Sequence, residues 1–474
     1  MSTVKKNIIY NVLFESLNLV LPLITTPYIA RVIGVEGVGT YAYTYAIVQY
    51  FLIFIALGMK NYGNRTIARQ RKNKDGIAKT FWELFAMQMI CALLVCIFYV
   101  CFVLFSNSDY KKIFIIEGIF LLATAIDVNW FFYGTEQFKI TIKRNLIIKL
   151  LTIILIFSFV KDEGDLILYV CFMCLSTLLS NLYLWAKIIK QVKFVKPDKK
   201  SLGIHFKRNL LLFVPVIAIS IYNTMDKIMV GQILDTTSVG LYENSEKIIN
   251  IPINLLAAIS TVMLPRMSFL MSDNKEKQAK QYIGRTMDLI MLIAMPMAVG
   301  IIILAEEIIS IYLGDDFLGA VVLVRLLAIL IPIKMWANII RTQYLLPNEK
   351  DKTYTLSVLA GAIVNFILNF FLIRTAGVKG AVIATIVAEI SVCIIQTITA
   401  SKNLQIKEYL KVGMKYMLKS VIMGVLVVAY IVNAKERGVN ELCYTLVSCA
   451  IGMGVYCILN LTYIKANIIN GFKG

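Results

Sequence analysis

The chain has 474 residues, 59% of them hydrophobic and 16% charged, with a net charge of +19 at neutral pH. Soluble domains carry about 25% charged residues, so an ordinary soluble enzyme is excluded. The basic excess does not point to nucleic acid, because 28 of the 48 Lys and Arg fall in alternate connections between apolar stretches and seven in the others.

Apolar stretches of about 20 residues, the length of a membrane-crossing helix, recur from end to end. In chain order they predict fourteen spans, at 8–33, 38–59, 80–106, 112–134, 145–160, 166–186, 209–233, 239–264, 283–305, 318–345, 355–373, 380–400, 416–432 and 441–463. The fold class is an all-α polytopic membrane protein. The first stretch contains Glu15 and lacks a small-residue cleavage site, so it reads as a spanning helix and not a cleaved leader. An even number of spans puts both termini on one side. The basic connections, with Lys5, Lys6, Lys465 and Lys473 at the ends, make that side the cytoplasm.

Spans 1 and 2 read "LPLITTPYIARVIGVEGVGTYAY", and spans 7 and 8 read "VPVIAISIYNTMDKIMVGQILDTTSVGLYEN". Each pair has an early proline, Pro22 or Pro215. Each then enters its second helix through V-G-x-Y, at Val38–Tyr41 and Val239–Tyr242. Spans 1 and 7 both start inside, so the repeat is parallel. The predicted organisation is an N-lobe of spans 1–6 (1–190), a basic cytoplasmic linker (191–208), a C-lobe of spans 7–12 (209–400) and two appended spans with a tail (401–474). Further prolines, Pro27, Pro252, Pro296 and Pro332, interrupt spans and bend helices.

Charges inside spans carry the functional signal. Each costs about 2.5–3.5 kcal/mol at mid-membrane on insertion scales, so a chain that keeps them has a use for them. Span 7 aligns Ser220, Asn223 and Lys227, with Asp226 beside them. Span 8 aligns Glu243, Glu246, Asn250 and Asn254, with Lys247 adjacent. Span 10 aligns Lys334, Asn338 and Arg341, and Arg325 lies nine residues earlier, about half a turn away from Lys334. Span 12 has Thr385, Glu389 and Gln396; span 1 has Glu15, Asn18, Pro22 and Thr26, then Arg31 near its outer end. Span 2 aligns Tyr41, Tyr45 and Gln49. One polar face per helix predicts helices arranged around a hydrated, cationic cavity. Arg31, Lys227, Lys334 and Arg341 are its expected main cations, with Lys247 and Arg325 weaker. Asp226, Glu246, Glu389 and Asp127 are candidates to respond to an ion or proton. Lys419 and Asp288 lie near cytoplasmic ends and read as interfacial.

Cys91, Cys96, Cys101, Cys171, Cys174, Cys393, Cys443, Cys449 and Cys457 all sit in apolar stretches, and the only histidine is His205. They read as buried thiols, not disulfides or metal ligands. A phosphate-binding Gly-rich loop and a long outer loop that could house an active site are both lacking. No catalysis, cofactor or metal is expected.

The stretches "TPYIARVIGVEGVGTYAYTYAI" (26–47), "DVNWFFYGTEQFKITIKRNLIIKL" (127–150), "DKIMVGQI" and "VGLYENSEKIINIP" (within 226–252), "MLPRMS" (263–268), "RTQYLLPNEKDKTYTLSVLAGAIVNFILNFFLI" (341–373) and "GVKGAVIATIVAE" (377–389) occur in that order. Together they make the chain resemble polysaccharide-biosynthesis flippases of the Wzx type. These belong to the superfamily that also holds multidrug exporters and lipid II flippases. The resemblance covers nearly the whole chain through span 12. It implies export of an undecaprenyl-diphosphate-linked oligosaccharide across the cytoplasmic membrane by alternating access, with glycan polymerase, glycosyltransferases, and an ion or proton as possible partners. A cation-coupled drug exporter and a lipid II flippase are the alternatives in transport. A non-transporting scaffold for glycan enzymes would have no need of Lys227 and Lys334 in mid-span.

Overall fold

The computed structural model of the chain describes residues 3–71, 73–106, 109–273 and 275–463. Lys465 and Lys473 lie outside the described residues, as do the side chains of Lys5, Lys6, Glu15, Asn18, Pro215 and Asn223. The described residues form helices joined by short connections. Packing divides the chain into two compact units, Met1–Gly240 and Leu241–Gly474.

The first unit is built from α1 (Thr3–Ala56), α2 (Met59–Gln70), α3 (Lys74–Phe105), α4 (Lys111–Ala125), α5 (Asn129–Gly134), α6 (Phe138–Phe159), α7 (Leu166–Ile188) and α8 (Lys199–Ile233). α1 holds two of the expected spans in two helical arms joined at Gly34, whose φ of 73° favours glycine. α4 packs on α1 and α7, while α8 packs on α1, α2 and α3. Span 7, assigned from the sequence to the C-lobe, therefore packs with the N-terminal helices. The compact unit that contains α8 ends at Gly240, in the first turn of α9. The basic segment before α8 is shorter than its composition suggests. Asp198 caps α8, accepting from the Ser201 amide at 3.3 Å, and starts the helix about three turns before the apolar stretch.

The V-G-x-Y motifs meet in this unit. A Cβ on Gly39 would fall within the Thr236 carbonyl and 2.7 Å from the Gly240 amide nitrogen, and one on Gly240 would fall within the Val35 carbonyl. Backbone lies on backbone there, which only glycine permits.

The second unit contains most of α9 (Thr236–Ser272), then α10 (Glu276–Ile303), α11 (Ala305–Tyr312), α12 (Val321–Leu327), α13 (Leu330–Ile340), α14 (Asp351–Ala376), α15 (Val378–Ser401), α16 (Ile406–Glu436) and α17 (Glu441–Leu459). α14 and α15 form its most extensive helix pair, α13 packs on α10 and α15, and α16 joins α10 to α17. The expected span 318–345 is not one helix. It breaks between α12 and α13, with a 46° bend across the pair, and ends in a π-helical turn at Arg341–Leu345.

Ten helices among the described residues are long and apolar enough to cross a membrane, or eleven if the bent pair counts as one span. The other expected spans coincide with the second arm of α1, with α6, which carries Lys139, Lys143, Arg144 and Lys149, and with α8, which carries Asp226 and Lys227.

Candidate functional site

In the second unit the structure joins two residues that the sequence nominated separately. Lys334 of α13 and Glu389 of α15 form an ion pair at 3.0 Å, with 27% and 12% of their side chains exposed. In a mostly buried pair of this kind the attraction between the two ions offsets part of the cost of taking both out of water. Hydrogen bonds also tie α15 to α13 and α14. Trp336 Nε1 donates to Thr397 Oγ1 at 2.9 Å, and Gln396 Nε2 donates to Ser357 Oγ at 3.0 Å. One turn from Lys334, the Asn338 side-chain oxygen is buried without a partner. Arg341 begins the π-helical turn, its guanidinium 5.5 Å from the Tyr354 ring centre.

Two expected cavity cations have local partners. Lys247 pairs with Glu243 one turn back, at 3.2 Å. Arg325 donates to the Ile302 carbonyl at 3.3 Å and lies 4.0 Å from Glu306. The break after α12 removes the assumption of one continuous helix from which the relative direction of Arg325 and Lys334 was reckoned. Glu246 is half-buried. Thr385 and Tyr242 share a buried hydrogen bond of 3.0 Å, and Asn369 donates to Asn365 at 3.1 Å nearby. Asp288 accepts from Tyr416 at 2.8 Å, and Lys419 caps the end of α17 through the Leu459 carbonyl and Asn460.

An apolar groove of about 720 Å³ runs along α10, α16 and α17, lined by residues such as Leu292, Pro296, Gly300, Met423, Gly452 and Met453.

In the first unit, Arg31 is exposed and Lys227 half-buried, whereas Asp226 is 5% exposed. Asp226 faces Tyr50 of α1. The adjacent charges thus have different surroundings, as their separation of about 100° around the helix requires. Tyr41 stacks on Tyr45 with ring centres 5.5 Å apart and meets Tyr169 edge-on; Tyr45 packs on Phe120. Gln49, the next position on that line, is half-buried.

Asp127 sits where α4 stops and α5 starts. Breaking a helix inside a membrane frees carbonyls that lipid cannot satisfy. Here side chains satisfy them. Gln88 Nε2 lies 2.9–3.0 Å from the carbonyls of Thr124, Ala125 and Asp127, among which it shares its two hydrogens, while Asn181 donates to Ala123, Trp185 to Ile126 and Trp130 to Asp127. The Asp127 carboxylate accepts from the backbone and side-chain nitrogens of Asn129, at 2.8 and 2.6 Å. Arg144 Nη2 donates to Asn129 Oδ1 at 3.0 Å, and a cavity of about 250 Å³ opens beside it, lined in part by Lys60, Asp127, Arg144 and Asn145. The sequence reading missed Arg144, which is 4% exposed, because it fell one residue before the expected span 145–160. The Arg144-Asn145 doublet at the edge of an apolar stretch was its available signal. Among the described residues no cluster of His, Cys, Asp and Glu could hold a metal ion.

The family profile "Polysaccharide biosynthesis protein" matches residues 4–271, and the profile "Lipid II flippase MurJ" matches residues 170–448. A protein of Escherichia coli (strain K12) named "Putative O-antigen transporter" is 24% identical over 395 residues, covering 82% of this chain and 94% of that one. A solved lipid II flippase MurJ in an inward closed conformation has a TM-score of 0.74 at 19% identity, over 97% of this chain and 99% of that one. An inward-facing multidrug resistance MATE family transporter of the MOP superfamily has a TM-score of 0.64 at 12% identity, over 83% of this chain and 94% of that one. The two structures show a shared fold. The chain belongs to the polysaccharide biosynthesis protein family, with the MurJ profile extending the match toward its C-terminal end.

Proposed function

We propose, with that family as the premise, that this multi-pass membrane protein is a flippase. It moves undecaprenyl-diphosphate-linked oligosaccharide repeat units from the inner to the outer leaflet of the cytoplasmic membrane by alternating access. The observation that carries the chemistry is the Lys334–Glu389 pair. Each ion neutralises the other while the site is empty. A pyrophosphate reaching Lys334 offers a doubly charged replacement for Glu389, so binding exchanges one partner for another, and the displaced Glu389 carboxylate takes up a proton from water, leaving neither a bare ammonium nor a bare carboxylate. Lys227, Arg341 and Arg31 are the further cations proposed to meet the pyrophosphate, with Lys247 and Arg325 secondary. Tyr41, Tyr45, Gln49 and Asn223 are proposed for the sugars. Asp226, Glu246, Glu389 and Asp127 are proposed to answer an ion or proton. The apolar groove along α10, α16 and α17 suits the polyprenyl tail.

The proposed organisation is two six-helix lobes with two appended helices, fourteen crossings in all and both termini cytoplasmic. A cysteine at exposed Asp315 should then react with an impermeant reagent from outside, and one at exposed Lys277 should not. Glycan polymerase and glycosyltransferases are the proposed neighbours in the membrane.

Export of lipid II is the second reading, favoured by the MurJ profile over 170–448. Deletion in the native host separates them. Accumulation of a lipid-diphosphate oligosaccharide on the cytoplasmic leaflet, with peptidoglycan synthesis intact, is the expected result. Accumulation of lipid II would replace the first reading with the second, and no accumulation of either would remove both.

A further inference from the structure

Glu117 lies within α4, and none of its surface is exposed. Its Oε2 is buried without a hydrogen-bond partner. Its Oε1 is 3.0 Å from Thr44 Oγ1, which is also 3.0 Å from the Thr40 carbonyl oxygen. A threonine hydroxyl has one hydrogen to donate. On a helix it commonly gives that hydrogen to the carbonyl four residues back. If Thr44 does so, its contact with Glu117 is a hydrogen bond only when the carboxyl itself supplies the hydrogen. If Thr44 instead points at Glu117, a fully buried carboxylate is left with one neutral donor, which does not offset the desolvation of a full charge.

Among the described residues, the titratable groups facing Glu117 are Tyr41 and Tyr45 of α1, Tyr99 of α3 and Cys174 of α7. None is a cation. The Tyr99 hydroxyl is already given to the Phe114 carbonyl, at 2.5 Å.

We propose that Glu117 is a proton-binding site at the seam of α1, α3, α4 and α7. The carboxyl is neutral in the arrangement described, its proton lying between Oε1 and Thr44 Oγ1. Release requires water at the seam to take that proton as hydronium, because no side chain facing Glu117 is a better acceptor. The carboxylate left behind keeps the seam wet. Proton binding therefore goes with a dry, closed seam and release with a hydrated one. This holds whatever the chain transports.

The test uses the full-length protein in lipid nanodiscs without substrate. Infrared spectra should contain the C=O stretch of a protonated carboxylic acid that persists at neutral pH. The band should vanish in Glu117→Gln, which replaces the acid with a neutral group of the same shape. It should move in Thr44→Val, which keeps the carboxyl and removes its partner; this variant serves if the glutamine form does not fold. Identical spectra of wild type and Glu117→Gln would overturn the proposal, as would a band unmoved by Thr44→Val. Amide hydrogen exchange over residues 36–48 and 111–125, corrected for its intrinsic pH dependence, tests release. It should accelerate with rising pH in the wild type and not in Glu117→Gln. Equal acceleration in both would overturn the coupling of proton to hydration.

Discussion

Glu117 and Glu389 are both acids on long apolar helices, one in each unit, and they keep opposite company. Glu117 has no exposed surface, one hydroxyl contact and no facing cation. Glu389 retains 12% side-chain exposure and has an ammonium 3.0 Å away. Burial alone does not say what a membrane carboxyl does. The partner decides whether charge is carried, and partial exposure decides whether that partner can be exchanged. On the proposed readings, the second unit holds a pair open to substitution by another anion, and the first an acid suited to a proton.

The largest expected effect comes from taking the cation from the exchangeable pair. Lys334→Ala should abolish export in a vesicle assay with a lipid-diphosphate oligosaccharide, and Lys227→Ala should do the same while leaving protein folded and inserted. Lys227→Arg should keep part of the activity. Normal export by both alanine variants would end the role of these cations.

Stability separates the two acids next. Removing one partner of a fully buried pair costs about 3–5 kcal/mol, and partial exposure here discounts that to about 1–2 kcal/mol for Lys334→Ala. Adding Glu389→Gln to that variant should restore much of the loss, as a double-mutant cycle in detergent would measure. By contrast, Glu117→Gln should cost no more than about 1 kcal/mol at neutral pH, since it removes no charge from a neutral site and leaves only the second amide N–H to satisfy. A cost as large as that of Lys334→Ala would make the two acids alike after all.

The smallest effect belongs to Arg325→Ala. Its bridge to Glu306 is 4.0 Å long, with side chains 43% and 56% exposed, and such pairs contribute about 0–1 kcal/mol. Export should change less than twofold. A total loss would raise Arg325 from a secondary to a main place among the cations that meet the pyrophosphate.

Much of the helical plan was legible, because a stretch of about 20 apolar residues has few other solutions. Interior charges such as Lys334 and Glu389 were legible for the same reason, each being too costly to be idle. Their pairing was not, since it depends on how α13 and α15 cross, and periodicity within one helix carries no information about its neighbour. The break between α12 and α13 was hidden because Pro332 advertised a bend whose position and angle are set by packing. Span 7 carries the same repeat motif as span 1, but a motif within one helix does not encode its neighbours, and α8 packs on α1, α2 and α3. Glu117 stands inside an apolar stretch, but its surroundings come from α1, α3 and α7, which no stretch of α4 encodes.

The contact between Gly39 and Gly240 gives these two positions a mechanical meaning. Each lacks the space for a single methyl group, because main-chain atoms of Val35 and Thr236 already occupy it. Alanine at either site would act as a shim, prising two strands of main chain apart by steric force without altering charge, polarity or hydrogen bonding. The substitution therefore offers a graded spacer. Methyl, hydroxymethyl and isopropyl groups at Gly39 should hold the two backbones progressively farther apart, as a spin-label distance between α1 and the start of α9 would record.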